Sequence, residues 1–183
     1  LASTISDNSV EIWDVEARNL KPARTVHRYD AFASGVVFTP DGRQLFSSGS
    51  ETAIRAWDVA TGAEAGDPLE DHTAGVFALA ISADGLRMAS ASSDTKVIIW
   101  DVASHKLLTT FLGHIANVTA LGFSPDQRIL ASGGADRTIR LWDLNTGKQI
   151  SLLRGHGAGV TSLSFSPNGQ SLVSRSNDGR VKL

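Results

Sequence analysis

The sequence predicts an all-β protein assembled from repeats of 42 to 44 residues. Three observations support this fold class. The dipeptide Trp-Asp recurs four times at nearly constant spacing and uses every tryptophan of the 183-residue chain. Between its copies, apolar segments of five to seven residues alternate with turn sequences, as strands do. No stretch of eleven residues has a convincing helical periodicity of apolar side chains.

Each repeat has further polar positions at fixed offsets, which make the register strict. A serine lies ten residues before each tryptophan, and an acidic residue lies six before it. A histidine lies 28 residues before Trp100 and Trp142, and His156 has the same place in the last repeat. The tryptophans are Trp13, Trp57, Trp100 and Trp142.

Turn sequences lie between the histidine and the serine of each repeat. Proline at the second turn position and Asp-Gly or Asn-Gly after it favour a tight turn between two strands. The segments on either side, such as residues 118–123 and 138–142, alternate between apolar and polar side chains. They are therefore predicted strands. The turns are residues 39–42, 82–85, 124–127 and 166–169.

Composition excludes several classes of protein. The chain has a net charge of −2 and no cysteine, which excludes disulfide scaffolds, cysteine zinc sites and thiol catalysis. The balanced charge argues against a dedicated nucleic-acid-binding protein, in which a basic excess is usual. The longest apolar run, residues 74–81, is far too short to span a membrane, and no signal segment is recognisable. We expect a cytoplasmic protein that binds neither nucleic acid nor membranes.

Serine, histidine and aspartate recur together, but the pattern does not indicate a hydrolase. A catalytic set occurs once, whereas this set recurs with the repeat, and the Gly-x-Ser-x-Gly motif of an exposed nucleophile is absent. The repeat histidines fall one to a repeat and are expected to lie far apart, so no metal site is predicted. His27 and His105 lie outside the pattern and are predicted to be solvated. The sequence therefore predicts no enzyme, no metal and no cofactor.

At these positions the chain resembles the WD-repeat β-propeller family. The resemblance covers essentially the whole chain and implies blades of four antiparallel strands, named a to d from a central channel outwards. Residues 1–27 would form strands b to d of one blade, and residues 155–183 strands a to c of another. Complete repeats would be 28–70, 71–112 and 113–154. Residues 66–72 are also similar to WD arrays attached to nucleotide-binding receptor-type proteins, particularly fungal ones.

The resemblance further implies a buried hydrogen-bond chain from tryptophan through serine and histidine to aspartate in each blade. Such a network costs more to break than its separate bonds suggest. The second repeat departs from it, with Tyr29 in place of the histidine and Glu51 in place of the aspartate. We expect this blade to be the least rigid of the complete ones. The implied network residues are Trp142, Ser132, His114 and Asp136, then Trp100, Ser90, His72 and Asp94, then His156, Ser174 and Asp178.

Proteins of this family mostly act as interaction platforms, so the resemblance implies a non-catalytic scaffold that binds a protein or peptide. The alternative is an enzyme or a glycan-binding protein with its site in the central channel. Phe32 and Ile115 are the large apolar residues among the implied partner-facing positions and are candidate anchors. Those positions are Asp30, Phe32 and Ser50; Thr73, Gly75 and Ser93; Ile115, Asn117 and Ala135; Gly157, Gly159 and Asn177.

The terminal repeats have the same composition as the interior ones. An open arc of blades would expose apolar faces and unpaired strand edges, which favours association. We therefore expect the chain either to associate with itself to close a ring or to be part of a larger propeller.

Overall fold

The computed structural model describes residues 1–4, 7–13 and 24–183, and the regular structure of these residues is entirely β. None of these residues belongs to a helix that is long and apolar enough to cross a membrane. The strands in the described residues are β1 Ala2–Thr4, β2 Ser9–Ile12, β3 Arg24–Arg28, β4 Ala33–Phe38, β5 Gln44–Gly49, β6 Arg55–Asp58, β7 Val76–Ile81, β8 Arg87–Ser92, β9 Val97–Asp101, β10 Leu107–Phe111, β11 Val118–Phe123, β12 Ile129–Gly134, β13 Ile139–Asp143, β14 Lys148–Leu153, β15 Val160–Phe165, β16 Leu172–Ser176 and β17 Val181–Lys182.

The strands form five antiparallel sheets, numbered here in chain order. Sheet 3 (β7 to β10) and sheet 4 (β11 to β14) have four strands each, and sheet 1 (β1 to β3) and sheet 5 (β15 to β17) have three. In sheet 2 (β4 to β6), a fourth strand is reduced to two isolated bridges, Ile54 with Leu69 and Trp57 with Glu64. The predicted all-β fold of four-stranded antiparallel sheets is confirmed.

Aspartate side chains close two turns of a sheet, the one before its second strand and the one after its third strand, as in sheet 2. After β4, the carboxylate of Asp41 accepts hydrogen bonds from the Thr39 hydroxyl at 2.6 Å and the Arg43 N–H at 3.0 Å. Gly42 has the positive φ of 70° that this turn needs. After β6, Asp58 accepts from the backbone N–H and the hydroxyl of Thr61, both at 2.7 Å. The aspartate of the Trp-Asp pair is therefore a turn residue.

Consecutive sheets stack so that the starts of their first strands lie side by side. The Ser34 hydroxyl, at the start of β4, donates to the Val76 carbonyl at the start of β7, at 2.6 Å. Thr119 on β11 makes the same 2.6 Å bond to Val160 on β15. The loops that precede these strands therefore lie at one common end of the stack.

The hydrophobic core lies between the sheets rather than within one of them. The middle strands of sheets 3 and 4 present small side chains to the following sheet, whereas sheet 2 presents the large side chains Phe46, Ile54 and Leu69. Between sheets 3 and 4, for example, Trp142 and Leu130 of sheet 4 pack against Ala89, Ala91 and the aliphatic side chains of sheet 3. Small residues allow the close approach, because a Cβ on Gly133 would lie 2.6 Å from a methyl carbon of Val160 in the next sheet.

In sheets 1, 3, 4 and 5 the residue after the acidic position has a left-handed backbone, and Thr95 is poorly suited to this conformation. Its φ is 71°, an outlier for a β-branched side chain, whereas Gly179 takes the equivalent place in sheet 5 with a φ of 78°. We expect Thr95→Gly to raise the free energy of unfolding by about 1 kcal/mol, measured by urea denaturation. Thr73→Gly is the matched control, because Thr73 is exposed and has no positive φ. It should be neutral or destabilising, and equal effects of the two changes would contradict the explanation.

Candidate functional site

A hydrogen-bond chain crosses sheet 4 and joins four side chains that the sequence places far apart. The Trp142 Nε1–H donates to the Ser132 hydroxyl oxygen at 2.8 Å. The Ser132 hydroxyl lies 2.8 Å from His114 Nε2, and His114 Nδ1 lies 2.8 Å from a carboxylate oxygen of Asp136. Ser132 is 0% exposed, so the middle of the chain is fully buried.

The chemistry of the end groups fixes the direction of every proton in this chain. The indole of Trp142 can only donate, so the Ser132 oxygen accepts from it. Because burial favours the neutral form of His114 and Asp136 is favoured as a carboxylate, the single imidazole proton lies on Nδ1, and the Ser132 hydrogen donates to the unprotonated Nε2. His114 Nδ1 keeps its proton and donates it to Asp136, which accepts as a carboxylate. The imidazole is therefore held neutral, as one tautomer.

Sheets 3 and 5 contain equivalent bonds. In sheet 3, Trp100 Nε1 donates to Ser90 at 2.8 Å, and His72 bonds Ser90 at 2.8 Å and Asp94 at 2.9 Å. In sheet 5, His156 bonds Ser174 at 2.9 Å and Asp178 at 3.1 Å. In sheet 1, Trp13 Nε1 donates to Ser3 at 2.8 Å.

The aspartate that ends each buried hydrogen-bond network also holds two backbone segments together. Asp136 accepts from the N–H of Ile115, in the loop before β11, at 3.2 Å, and from the N–H of Thr138, in the turn before β13, at 3.0 Å. The Ala135 N–H donates to the Asn117 carbonyl at 2.8 Å between the same segments. Each buried network therefore ends at the surface, where it fixes the conformation of a loop and a turn.

The same loop-to-turn bond pairs candidate positions in the other sheets. In each of these sheets, the residue before the acidic position donates its N–H to a backbone carbonyl in the loop. That carbonyl belongs to the second of the two candidate residues of the loop. The bonds are Ser50 to Phe32 at 2.9 Å, Ser93 to Gly75 at 3.0 Å and Asn177 to Gly159 at 3.0 Å.

Sheet 2 replaces the usual network with a different one. The Tyr29 hydroxyl lies 2.8 Å from Ser47, which also accepts the Trp57 Nε1–H at 2.8 Å. His27, on β3 of sheet 1, stacks on Trp57 with ring centroids 5.4 Å apart and bonds Glu51 at 3.2 Å. The phenol therefore takes the place of the histidine against the serine, and the acid finds a histidine from the neighbouring sheet.

The prediction that His27 and His105 are solvated is wrong. His27 is half-buried between Trp57 and the edge of Tyr29. His105 is also half-buried, because it packs edge-on against Phe46 and its Nδ1 lies 3.1 Å from a backbone carbonyl. Both histidines lie in the segment between the tryptophan of one repeat and the start of the next. Their distances from the tryptophan do not recur in the other repeats, so the repeat pattern could not predict their surroundings.

The candidate partner-facing positions differ in exposure. Ile115 projects into solvent with 85% of its surface exposed. Phe32 is half-buried and stacks on Phe77 of sheet 3 with ring centroids 5.5 Å apart and an interplanar angle of 7°. Ile115 is therefore an accessible apolar side chain, whereas Phe32 packs across the boundary between sheets 2 and 3. Also exposed are Asp30, Thr73, Asn117, Ala135, Gly157 and Asn177; Ser50, Gly75, Ser93 and Gly159 are half-buried.

The buried networks contain titratable groups with shifted pKa values. Burial lowers the pKa of His72 and of His114 below the usual histidine value, although the neighbouring aspartates oppose this shift. Burial alone would raise the pKa of Asp94 and of Asp136, but hydrogen bonds to their carboxylates outweigh it, so both pKa values are lowered. The folded protein therefore favours neutral histidines and ionised aspartates.

Acidification should destabilise the fold in two stages. The unfolded chain protonates these histidines near pH 6.5 and the folded chain resists, so the free energy of unfolding should fall as the pH drops below about 6.5. The aspartates add stability above their unfolded pKa of about 3.9, and this is lost at lower pH. Urea titrations from neutral pH to about pH 4 would measure the first stage. The double variant His72→Gln, His114→Gln should show a flatter pH dependence, and an unchanged slope would contradict this assignment.

The described residues contain no group of three or more histidine and acidic side chains that could hold a metal ion.

The structure defines a protein of stacked antiparallel sheets that presents loops at one end. The chain matches the family described as "WD domain, G-beta repeat" over residues 20–58, 66–101, 105–143 and 147–183. These segments make up more than half of its length, and the chain belongs to the WD-repeat family. The narrower resemblance of residues 66–72 to receptor-attached arrays stays a prediction.

Three similar proteins come from fungi and a slime mould. The chain is 34% identical over 59 residues to the nuclear distribution protein nudF of Emericella nidulans, 32% of this chain and 13% of that protein. It is 33% identical over 57 residues to DDB1- and CUL4-associated factor 13 of Dictyostelium discoideum, 31% of this chain and 12% of that protein. It is 37% identical over 59 residues to the nuclear distribution protein PAC1 of Arthroderma otae, 32% of this chain and 12% of that protein. The matched part thus spans about an eighth of these relatives.

Proposed function

We propose that this chain is a non-catalytic scaffold that binds a protein or peptide through the loops before β4, β7, β11 and β15 and the turns bonded to them. The observation that carries the proposal is the attachment of each loop to a buried network. A loop held by aspartate and backbone hydrogen bonds loses little conformational entropy when a partner binds, which favours affinity. Loops on a rigid scaffold are common binding sites.

Ile115 supplies the hydrophobic contact that such a surface needs. It is a large apolar side chain at the tip of a loop whose backbone N–H is bonded to Asp136. A fixed, exposed apolar group of this kind can anchor an interface when a partner covers it.

The charges around Ile115 give the surface a polarity that would orient a partner. The exposed charged residues of the loops before β4 and β7 include Asp30, Glu70 and Asp71. On the side of sheets 4 and 5, the loop before β15 and the turns contribute exposed Arg137, Arg154 and Arg180. Complementary charges on a partner raise its association rate and select its orientation. We expect a partner segment with basic residues over sheets 2 and 3 and acidic residues over sheets 4 and 5.

The buried serine, histidine and aspartate support a structural rather than a catalytic role. Ser132 is enclosed, accepts the indole N–H of Trp142 and donates to His114, so it has neither access to a substrate nor a free position. A nucleophile needs both. The name of one relative, DDB1- and CUL4-associated factor 13, states an association with other proteins, which is consistent with a scaffold. A cytoplasmic location and the absence of nucleic-acid and membrane binding stay predictions.

Selection from a displayed peptide library would test the proposal. Peptides selected on the wild-type chain should lose at least about tenfold in affinity when Ile115 is changed to Asp, because a buried apolar contact becomes a desolvated charge. Leu86→Asp is the matched control, since Leu86 is 61% exposed but follows the turn at the opposite end of the stack. Peptides indifferent to Ile115→Asp, or lost equally with Leu86→Asp, would contradict the proposed surface.

A further inference from the structure

Arg140 on β13 is a half-buried arginine, and the described residues place no carboxylate within ion-pair distance of it. Within the described part of the chain, its guanidinium makes one hydrogen bond, from Nη1 to the side-chain oxygen of Gln149. Its Nε–H is buried without an acceptor, and its Nη2 group also has none but stays accessible to solvent. A charge that is partly removed from water without a partner is costly, so this guanidinium favours binding of an anion.

The equivalent arginine of sheet 2 shows which chemical group is missing. Arg55 has the same place in its repeat as Arg140, two residues before the tryptophan. Its Nε–H and Nη2–H both donate to one carboxylate oxygen of Glu51 at 3.2 Å, and its Nη1–H donates to Glu64 at 2.8 Å. An arginine at this place in the fold therefore binds carboxylates along two edges of its guanidinium.

Sheet 4 has no carboxylate free for its own arginine. At the place of Glu64 it has Gln149, which is uncharged. At the place of Glu51 it has Asp136, whose shorter side chain is already bonded to His114 and to two backbone N–H groups. The guanidinium edge that Glu51 bonds in sheet 2 is therefore left without an acceptor in sheet 4.

The guanidinium of Arg140 lies against the loop that contains Ile115. A Cβ on Gly113 would lie 2.8 Å from Arg140 Nη1, so the absence of a side chain at Gly113 lets the guanidinium approach the backbone of this loop. Leu112 and Ile115, on either side of Gly113 in the chain, are 69% and 85% exposed. A partner segment that covers these apolar side chains therefore brings its neighbouring residues close to the guanidinium.

We propose that Arg140 binds an acidic side chain of the partner, next to the apolar residue that covers Ile115. The partner carboxylate accepts a charge-assisted hydrogen bond from Nη2, the accessible group without an acceptor. A carboxylate is favoured over a phosphate because carboxylates fill the equivalent place in sheet 2, and one guanidinium balances one charge. This inference rests on the proposed scaffold function and specifies the chemistry of its partner.

Two libraries of short random peptides would test this subsite, one with a fixed central glutamate and the other with a fixed central glutamine. Binders from the glutamate library should lose about tenfold in affinity when that residue is changed to glutamine, because a charged hydrogen bond is lost. The same change should have little effect on the Arg140→Gln chain, since the two groups act as a pair. Fluorescence anisotropy would measure the four affinities. A loss of equal size on both chains would overturn the subsite.

A second variant tests the subsite without removing the arginine. Gln149→Glu supplies the carboxylate that sheet 2 has at Glu64, so it should compete for the guanidinium and weaken binding of glutamate peptides severalfold. Gln170→Glu is the matched control, because it adds the same charge in an exposed turn after β15, at the opposite end of the stack. Equal weakening by the two substitutions would contradict the subsite.

The outcomes separate this subsite from the proposed function. Peptides that lose affinity with Ile115→Asp but bind equally well with glutamate or glutamine would overturn the subsite alone. Peptides that depend on Arg140 but not on Ile115 would support the subsite and contradict the proposed surface. Tighter binding of phosphoserine peptides than of glutamate peptides would overturn the carboxylate assignment in favour of phosphate. No binder from either library would overturn both proposals.

Discussion

Replacing Trp100 with alanine should lower the free energy of unfolding by about 3–5 kcal/mol. Its side chain is 1% exposed and packs against residues of both sheets 2 and 3, including Phe46, Ile54 and Met88. The change opens a large cavity at this interface and removes the N–H donor from Ser90. Urea denaturation, followed by far-ultraviolet circular dichroism, would measure the loss.

Trp13→Ala provides a control with the same chemistry and less burial. Trp13 makes the same 2.8 Å hydrogen bond to its serine, but it is only half-buried in sheet 1. Its replacement should cost clearly less than that of Trp100. Equal losses would show that the hydrogen bond, rather than packing between sheets, determines the effect.

Asp136→Ala should cost about 3–5 kcal/mol, although the change removes little apolar surface. The carboxylate is nearly fully buried, accepts the His114 Nδ1–H and holds the N–H groups of Ile115 and Thr138. Alanine leaves these three donors without an acceptor, and each buried unsatisfied donor costs about 1–3 kcal/mol. Denaturation would give the total, and amide hydrogen exchange at Ile115 and Thr138 would show local release of the loop and turn.

Asp126→Ala is the matched control for Asp136→Ala. Asp126 also accepts one hydroxyl and one backbone N–H, from Ser124 and Arg128, but it lies in an exposed turn where water can replace it. Its loss should cost about 1 kcal/mol. A cost at Asp136 no larger than at Asp126 would argue that the buried network does not hold the loop.

The sequence permitted prediction of the strands and turns because it repeats them. A weak signal, such as the alternation in residues 118–123, becomes strong when an equivalent segment recurs at three other places in register. The serine, histidine and aspartate were found from their fixed offsets to the tryptophan, and the family resemblance implied the hydrogen bonds between them. The structure places them within hydrogen-bond distance. Fixed sequence offsets place residues reliably only when, as here, the backbone between them is the same in each repeat.

Contacts that cross from one repeat to the next could not be predicted in this way. His27 reaches Trp57 and Glu51 from β3 of the preceding sheet, so the rearranged network depends on how two sheets stack. Tyr29 was recognised as a departure, but its hydroxyl still reaches Ser47, and the predicted low rigidity of this repeat awaits hydrogen exchange. The stacking of Phe32 on Phe77 likewise crosses a sheet boundary. The other described repeats have no equivalent pair of phenylalanines at this position.

The unequal faces of the sheets bear on how such a chain can change its length during evolution. Sheets 3 and 4 present alanine or glycine to the next sheet, at Ala89, Ala91, Ala131 and Gly133. The first strand of the next sheet packs Val118, or its counterpart Val160, against these small residues. A duplication or loss of one of these two repeats recreates an interface of the same shape. Sheet 2 presents Phe46 instead, so a gene rearrangement that joins it to a different neighbour must also refit that ring. Gene rearrangements are therefore tolerated less well at some interfaces than at others. The interface between sheets 2 and 3 is less easily rebuilt with a different repeat than the interfaces that follow sheets 3 and 4.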